Sequence, residues 1–184
     1  QTCSGCESGN LVTSGSQLQV DSDINAWTAE PVNYSGGSYA GQAAWRHSTQ
    51  SPVNDNGTIK YGVLNYRDHN ADYYVKQEIP IESVVQGRPY TFTVQMTSHA
   101  TGGTAEMYIQ FLNSSGGVIS TSSKVSTNNN YPNFQTYTIG GGSQTIPSGT
   151  TKIRIVGHSK GNALKFKVVN LIVCYNAINL SLTP

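Results

Sequence analysis

Charge is the first thing this sequence is short of. Lys, Arg, Asp and Glu make up 11% of its 184 residues and leave a net charge of +1, less than half the charged share of an average soluble protein. A chain so sparse and balanced lacks the basic footprint that nucleic acid or an anionic membrane requires. No apolar run approaches the roughly 20 residues that a membrane helix needs. Cysteine is scarce too: Cys3, Cys6 and Cys174. The CSGC pair stands alone, with no second pair and no helical pattern behind it, which argues against zinc or a thioredoxin-type redox motif. A disulfide fits better. Cys174 pairs with Cys3 or Cys6 if the first and last strands lie side by side, leaving one thiol over; the rival is Cys3 with Cys6. His47, His69, His99 and His158 are scattered without metal-ligand spacing.

What the chain does have is Asn, Gln, Ser and Thr, so its solubility rests on neutral amides and hydroxyls, a composition common outside the cell. The chain begins at Gln1, which is not an initiator. The expectation is a mature or trimmed chain, secreted or at a cell surface, whose export signal is already gone. Asn33, Asn56, Asn113 and Asn179 each open an N-x-[ST] sequon, read here as chance matches in an Asn/Ser/Thr-rich chain.

Apolar residues alternate almost throughout, and no amphipathic helix emerges. Strands are predicted at 10–20, 40–48, 60–66, 73–81, 88–98, 105–113, 134–139, 151–158 and 164–175. In 88–98, Tyr90, Phe92, Val94 and Met96 take one face, and Thr91, Thr93, Gln95 and Thr97 the other. In 105–113, Met107, Ile109 and Phe111 face in while Glu106, Tyr108 and Gln110 face out. The run 73–96 reads as two neighbouring antiparallel strands. Turn signals such as VQGRP, TGG, NSSGG, NNNYPN and PSG separate the strands. Many short strands at near-regular spacing predict an all-β sandwich or barrel in one domain.

The order of these segments resembles the jelly-roll carbohydrate-binding modules of families four, nine and twenty-two. Their opening NLVxNGxFE is answered by NLVTSGSQLQ (10–19), followed by Trp27. Their small-residue strand is answered by AGQAAW (40–45), and their xQxIxIxxGxxYTFS by VKQEIPIESVVQGRPYTFT (75–93). MYIQFLNSSGG (107–117), FQTYTIGGGSQTIPSGTTKIRI (134–155) and FKVVNLIV (166–173) follow in order. The resemblance covers nearly the whole chain. It implies a jelly roll of two antiparallel sheets over 10–175, flanked by a Cys-containing segment 1–9 and a tail 176–184.

The resemblance also implies a structural calcium between the first, small-residue and last strands. Its carboxylate positions fall here on Gln19 and Asn170, with backbone carbonyls near Gly15 and Gln42. Calcium prefers carboxylate oxygens, so two amides weaken the site. DSDIN (Asp21, Asp23, Asn25) and DHNAD (Asp68, Asn70, Asp72) place oxygen ligands at alternate positions. Both lack the glycine at position six and the acid at position twelve of an EF-hand, and read better as Asx-rich turns.

Catalytic signatures are missing. No E-x-D-x-x-E run supplies the two acids of a sandwich glycosidase, and no Q-x-H, G-x-S-x-G or H-E-x-x-H occurs. A polysaccharide lyase or hydrolase is therefore only the third reading. A binding surface remains. Eleven Tyr stand against four Phe and two Trp, a bias toward rings with an apolar body and a polar tip. In the resembling modules the ligand lies across the concave sheet face. The matching outward positions predict Trp45, Tyr74 and Tyr108 as stacking platforms and Gln95, Gln110 and Arg154 as hydrogen bonders to a polysaccharide or oligosaccharide. His158, Lys76 and Thr93 lie nearby, and Trp27 and Tyr90 are assigned to the core. The expected protein is a monomer or a module of a multidomain chain, without nucleic-acid or membrane partners. The rival is a structural or adhesive sandwich of a surface protein or tail fibre.

Overall fold

Alternating burial on nearly every strand leaves the chain two apolar sheet faces to cover, and it covers each with the other. The computed structural model describes residues 7–50, 59–65, 70–128 and 130–174, with backbone alone at 49 and 50. Eleven strands are described: β1 (Thr28–Glu30), β2 (Trp45–Gln50), β3 (Ile59–Leu64), β4 (Tyr73–Pro80), β5 (Pro89–Ser98), β6 (Thr104–Leu112), β7 (Val118–Thr121), β8 (Val125–Ser126), β9 (Gln135–Thr145), β10 (Lys152–Lys160) and β11 (Leu164–Val173). One sheet runs β1-β4-β10-β6-β7, with β8 also on β6; the other runs β2-β3-β11-β5-β9. All their pairings are antiparallel. The predicted two-sheet sandwich is the fold observed.

The core lies between the sheets. Phe92, Phe166, Met96, Met107, Ile109, Ile153 and Ile155 are fully buried there. Trp27 meets Phe166 edge-on at 5.1 Å, and Trp45 stacks on it at 5.2 Å. Each indole N–H donates to a backbone carbonyl, Trp27 to Gly15 at 3.0 Å and Trp45 to Ile24 at 3.1 Å, so burial leaves no orphaned donor. Tyr90 is buried with Trp27, as its strand pattern predicts.

Two elements differ from expectation. Residues 73–96 do not form neighbouring strands: β4 pairs with β1 and β10, and β5 with β11 and β9. The connection crosses from one sheet to the other through a 3-10 turn, Ser83–Val85, whose Val85 is buried. Alternation reports which residues face a core but not which strand lies alongside. Residues 10–20 do lie against the last strand, but without a continuous ladder: Gln17 bridges Val168, backbone hydrogen bonds join Leu11 to Leu171, Ser16 to Val169 and Leu18 to Lys167, and just before them Glu7 bridges Cys174. Asn10 stands in for the missing ladder. Its Oδ1 accepts from the Val12 and Leu171 amides, and its Nδ2 donates to the Val169 carbonyl and to Asn170 Oδ1. Cys3, Cys6 and the tail 176–184 lie outside the described residues, as do Asn56, Asn179, Asp68 and His69. Asn113 is occupied as an Asx turn, its Oδ1 accepting from Ser115 and Gly117 amides.

Candidate functional site

The first sheet holds the acidic residues of the described strands, Glu30, Glu78 and Glu106. β10 runs down its centre, flanked by β4 and β6 in continuous register. Arg154 lies opposite Glu78 on one side and Gln110 on the other. Two residues on, Val156 lies between Lys76 and Tyr108. Two further on, His158 lies between Tyr74 and Glu106. The face is thus a grid with about 4.8 Å between strands and about 7 Å between successive rows.

Side-chain bonds knit the grid. Arg154 donates Nε and Nη2 to Glu78 Oε2 at 3.1 and 3.0 Å, and Nη1 to Gln110 Oε1 at 3.1 Å. Lys76 donates to Glu30 at 2.9 Å. His158 faces Glu106 with Nδ1 at 2.9 Å and Asp72 with Nε2 at 2.7 Å; both contacts are satisfied when both ring nitrogens carry protons. The His158 hydrogen bond holds the Asp72 carboxyl below its usual pKa. The Tyr74 ring lies parallel to the imidazole at 4.6 Å. Lys124 sits over the Tyr108 ring at 4.7 Å and reaches Glu106 at 3.6 Å. Burial raises the pKa of both phenols, Tyr74 and Tyr108.

Beside the grid a groove of about 720 Å³ opens, lined by Ser14, Ala26, Thr28, Ala29, Glu30, Lys76, Gln77, Glu78 and Arg154. It exists because β1 is only three residues long and pairs with β4 no further than Lys76. Gln77 donates to the Ser14 carbonyl at 3.0 Å and leaves Oε1 buried without a donor.

Tyr74, Tyr108, Gln110 and Arg154 therefore share one face, as the sequence pattern predicts. Trp45 and Gln95 do not join them. Trp45 is 6% exposed inside the core, against Phe166. Gly62 leaves room for it, since a Cβ there would run into the indole; Arg46 takes the outward position instead. Gln95 faces outward on β5, the opposite sheet. Sequence reasoning passed over Glu78, Glu106, Asp72 and Lys124 as site residues. The first two have the outward parity of their strands, but their pairing with Arg154 and His158 depends on register.

The positions expected to cradle calcium fit it poorly. The Gly15 carbonyl accepts from Trp27, the Gln42 carbonyl from the Tyr34 amide, and Asn170 Oδ1 from Asn10. The Gln19 backbone N–H is capped by Asp23, and Asn170 is tied to Asn10. Among the described residues no group of three or more His, Cys, Asp or Glu could hold a metal.

The two sheets place this chain among known folds. No family model matches it, and no curated protein does. Solved structures do. TmCBM61, in complex with beta-1,4-galactotriose, superposes with a TM-score of 0.53 at 12% identity, over 89% of this chain and 98% of that one. The C-terminal family 22 carbohydrate binding module of Clostridium thermocellum Xyn10B gives 0.52 at 16% identity, over 89% and 97%. The fold is that of the jelly-roll carbohydrate-binding modules. The enzymatically active domain of bacteriophage CBA120 tailspike protein 4 also matches, with a TM-score of 0.56 at 21% identity over 88% of this chain. This chain spans about a fifth (21%) of that one's length.

Proposed function

We propose that the chain is a non-catalytic carbohydrate-binding module that holds a neutral polysaccharide across the outer face of its first sheet. The observation that carries this is the in-register row Glu78–Arg154–Gln110, with Tyr108 and Tyr74 in the next two rows of the same outer face, beside an open groove lined largely by amide, hydroxyl and charged groups. Sugars offer C–H faces to rings and hydroxyls to planar amides and guanidinium groups. Tyr108 is 7% exposed beneath Lys124, so a sugar would reach its ring only once Lys124 moves aside. An open face leaves much of a sugar wet, so affinity is on the order of micromolar to millimolar.

The carboxylates here support binding rather than hydrolysis. Glu30, Glu78, Glu106 and Asp72 each engage a cation. Glu78 and Glu106 sit opposite positions four residues apart on β10, about 13 Å along the strand, beyond the ~5–9.5 Å that paired glycosidase acids need. The His158 ring fills the space between Glu106 and Asp72. As a module, the chain would raise the local concentration of an attached enzyme on its polymer, outside the cell. A disulfide from Cys174 to the segment just before Glu7 would then fasten the first segment to β11, because Glu7 already bridges Cys174. The tailspike neighbour supports a second reading, a structural or adhesive sandwich of a surface protein or tail fibre.

Affinity electrophoresis through xylan, mixed-linkage glucan, galactan and mannan tests the first reading. Retardation by one neutral polymer is expected. Arg154→Ala, which removes three hydrogen-bond donors from the row, should weaken it about tenfold. Free migration of the folded chain through every polymer would favour the structural reading.

A further inference from the structure

Among the described residues, the outer face of the second sheet gathers three cations, Arg46, Lys165 and Lys167. Arg46 of β2 lies opposite Val63, Val63 opposite Lys165 of β11, and Lys165 opposite Thr97. Arg46 and Lys165 are thus two strands apart, about 10 Å. Lys165 Nζ sits 3.9 Å from the Tyr131 ring centre and 3.0 Å from His99 Nδ1. Lys167 Nζ lies 4.8 Å from the Phe134 ring. On the first sheet, Lys76, Lys124, Lys152, Arg154 and Lys160 each reach a carboxylate. Among the described residues, none lies within ion-pair reach of Arg46, Lys165 or Lys167.

A buried ammonium without an anion is costly. Lys165 is 7% exposed, and burial, with Arg46 adding, pulls its pKa down to about 8. Lys165 in turn lowers the pKa of His99. Arg46, His99, Lys167 and the edges of Tyr131 and Phe134 reach solvent. An exposed guanidinium with no ion-pair partner among the described residues matches a carboxylate's two oxygens, and the half-exposed rings suit an apolar sugar face.

We propose that this face is a second binding site, for the carboxylate of an acidic sugar, a uronate residue within a polysaccharide. Arg46 grips the carboxylate, Lys165 and Lys167 supply the field around it, and Tyr131 with Phe134 borders the ring. The complementary charge selects the occupant. Three cations on one patch of a chain with net charge +1 fall short of the basic track that nucleic acid needs. The proposal stands apart from the neutral-sugar site, since the two lie on opposite sheets.

Backbone amide NMR titration with galacturonate and glucuronate oligomers tests it, with neutral oligomers of equal length as controls. The uronates should shift amides of β2, β11 and the Tyr131 turn, and the neutral sugars should not. Arg46→Gln should weaken uronate binding about tenfold and leave first-sheet shifts untouched; Arg46→Lys should restore it only in part. Bound uronate should also raise the His99 pKa against the cations that face it, Lys165 directly and Arg46 beyond, with Tyr61 and Tyr131 as the neighbouring phenols. Absence of uronate shifts, or shifts confined to the first sheet, would overturn the proposal. So would an equal response to sulfate, an acidic peptide or a short DNA strand.

Discussion

Gly62 carries no functional group, yet the inner face is built around it. A Cβ at this position would run into the Trp45 ring and the Leu18 side chain, both buried. Overpacking a dense core costs about 1–3 kcal/mol. Gly62→Ala should lower the urea midpoint accordingly, and an unchanged midpoint would mean that Trp45 is not seated there. Lys165 gives the opposite sign. Its folded pKa is about 8, below the ordinary 10.5, so the native state disfavours the charge. Between those values the unfolded chain binds more protons, and stability rises with pH across that window. At pH 7 the burden is fully present. Lys165→Met should therefore stabilise the protein at pH 7, by roughly 1–3 kcal/mol, and the gain should vanish above about pH 10.5. Equal or lower stability of the variant at pH 7 in chemical denaturation would show that contact with Tyr131 already compensates the charge.

At the scale of elements, strand interiors were legible and strand partners were not. Met107, Ile109 and Phe111 face the core, as do Tyr90, Phe92, Val94 and Met96, because period-two alternation is local. β1, β7 and β8, of three, four and two residues, have no counterpart among the predicted strands, being too short to show a period. Trp45 is expected to face outward beside Arg46, yet neighbouring residues of a strand face opposite ways, and it is Trp45 that turns to the core. The ladder begins at Trp45 itself, and a one-residue shift flips every side chain. The first segment shows how one side chain replaces a strand. Asn10 makes four hydrogen bonds, three of them to or across β11. Asn10→Ala should cost about 1–3 kcal/mol and speed hydrogen exchange at the Leu171 amide. Slow exchange there in the variant would show that the isolated bridges hold the segment without it.

Over the whole molecule, the two outer faces differ in charge balance although the chain is nearly neutral. The first pairs its cations with acids, whereas the second sets Lys165 and Lys167 beside rings and leaves Arg46 exposed. Neutral-polymer binding should change little between 0.05 and 0.5 M salt, about a threefold drop in screening length, whereas uronate binding should weaken markedly. Isothermal titration at both salts checks this, and equal loss for both ligands would mean a shared site.

An all-β sandwich or barrel, most of the core residues, and the outward parity of Tyr74, Tyr108, Gln110 and Arg154 were legible in the chain alone. Those follow from alternation, turn residues and composition, which act over a few neighbouring positions. Only the tertiary structure decided that those four meet on one sheet while Gln95 lies on the other. It also placed His158 between two acids far apart in the chain, Asp72 and Glu106, and left Arg46, Lys165 and Lys167 without an ion pair among the described residues. Such facts depend on register and on the crossing of β4–β5 between sheets, where residues far apart in the chain become neighbours.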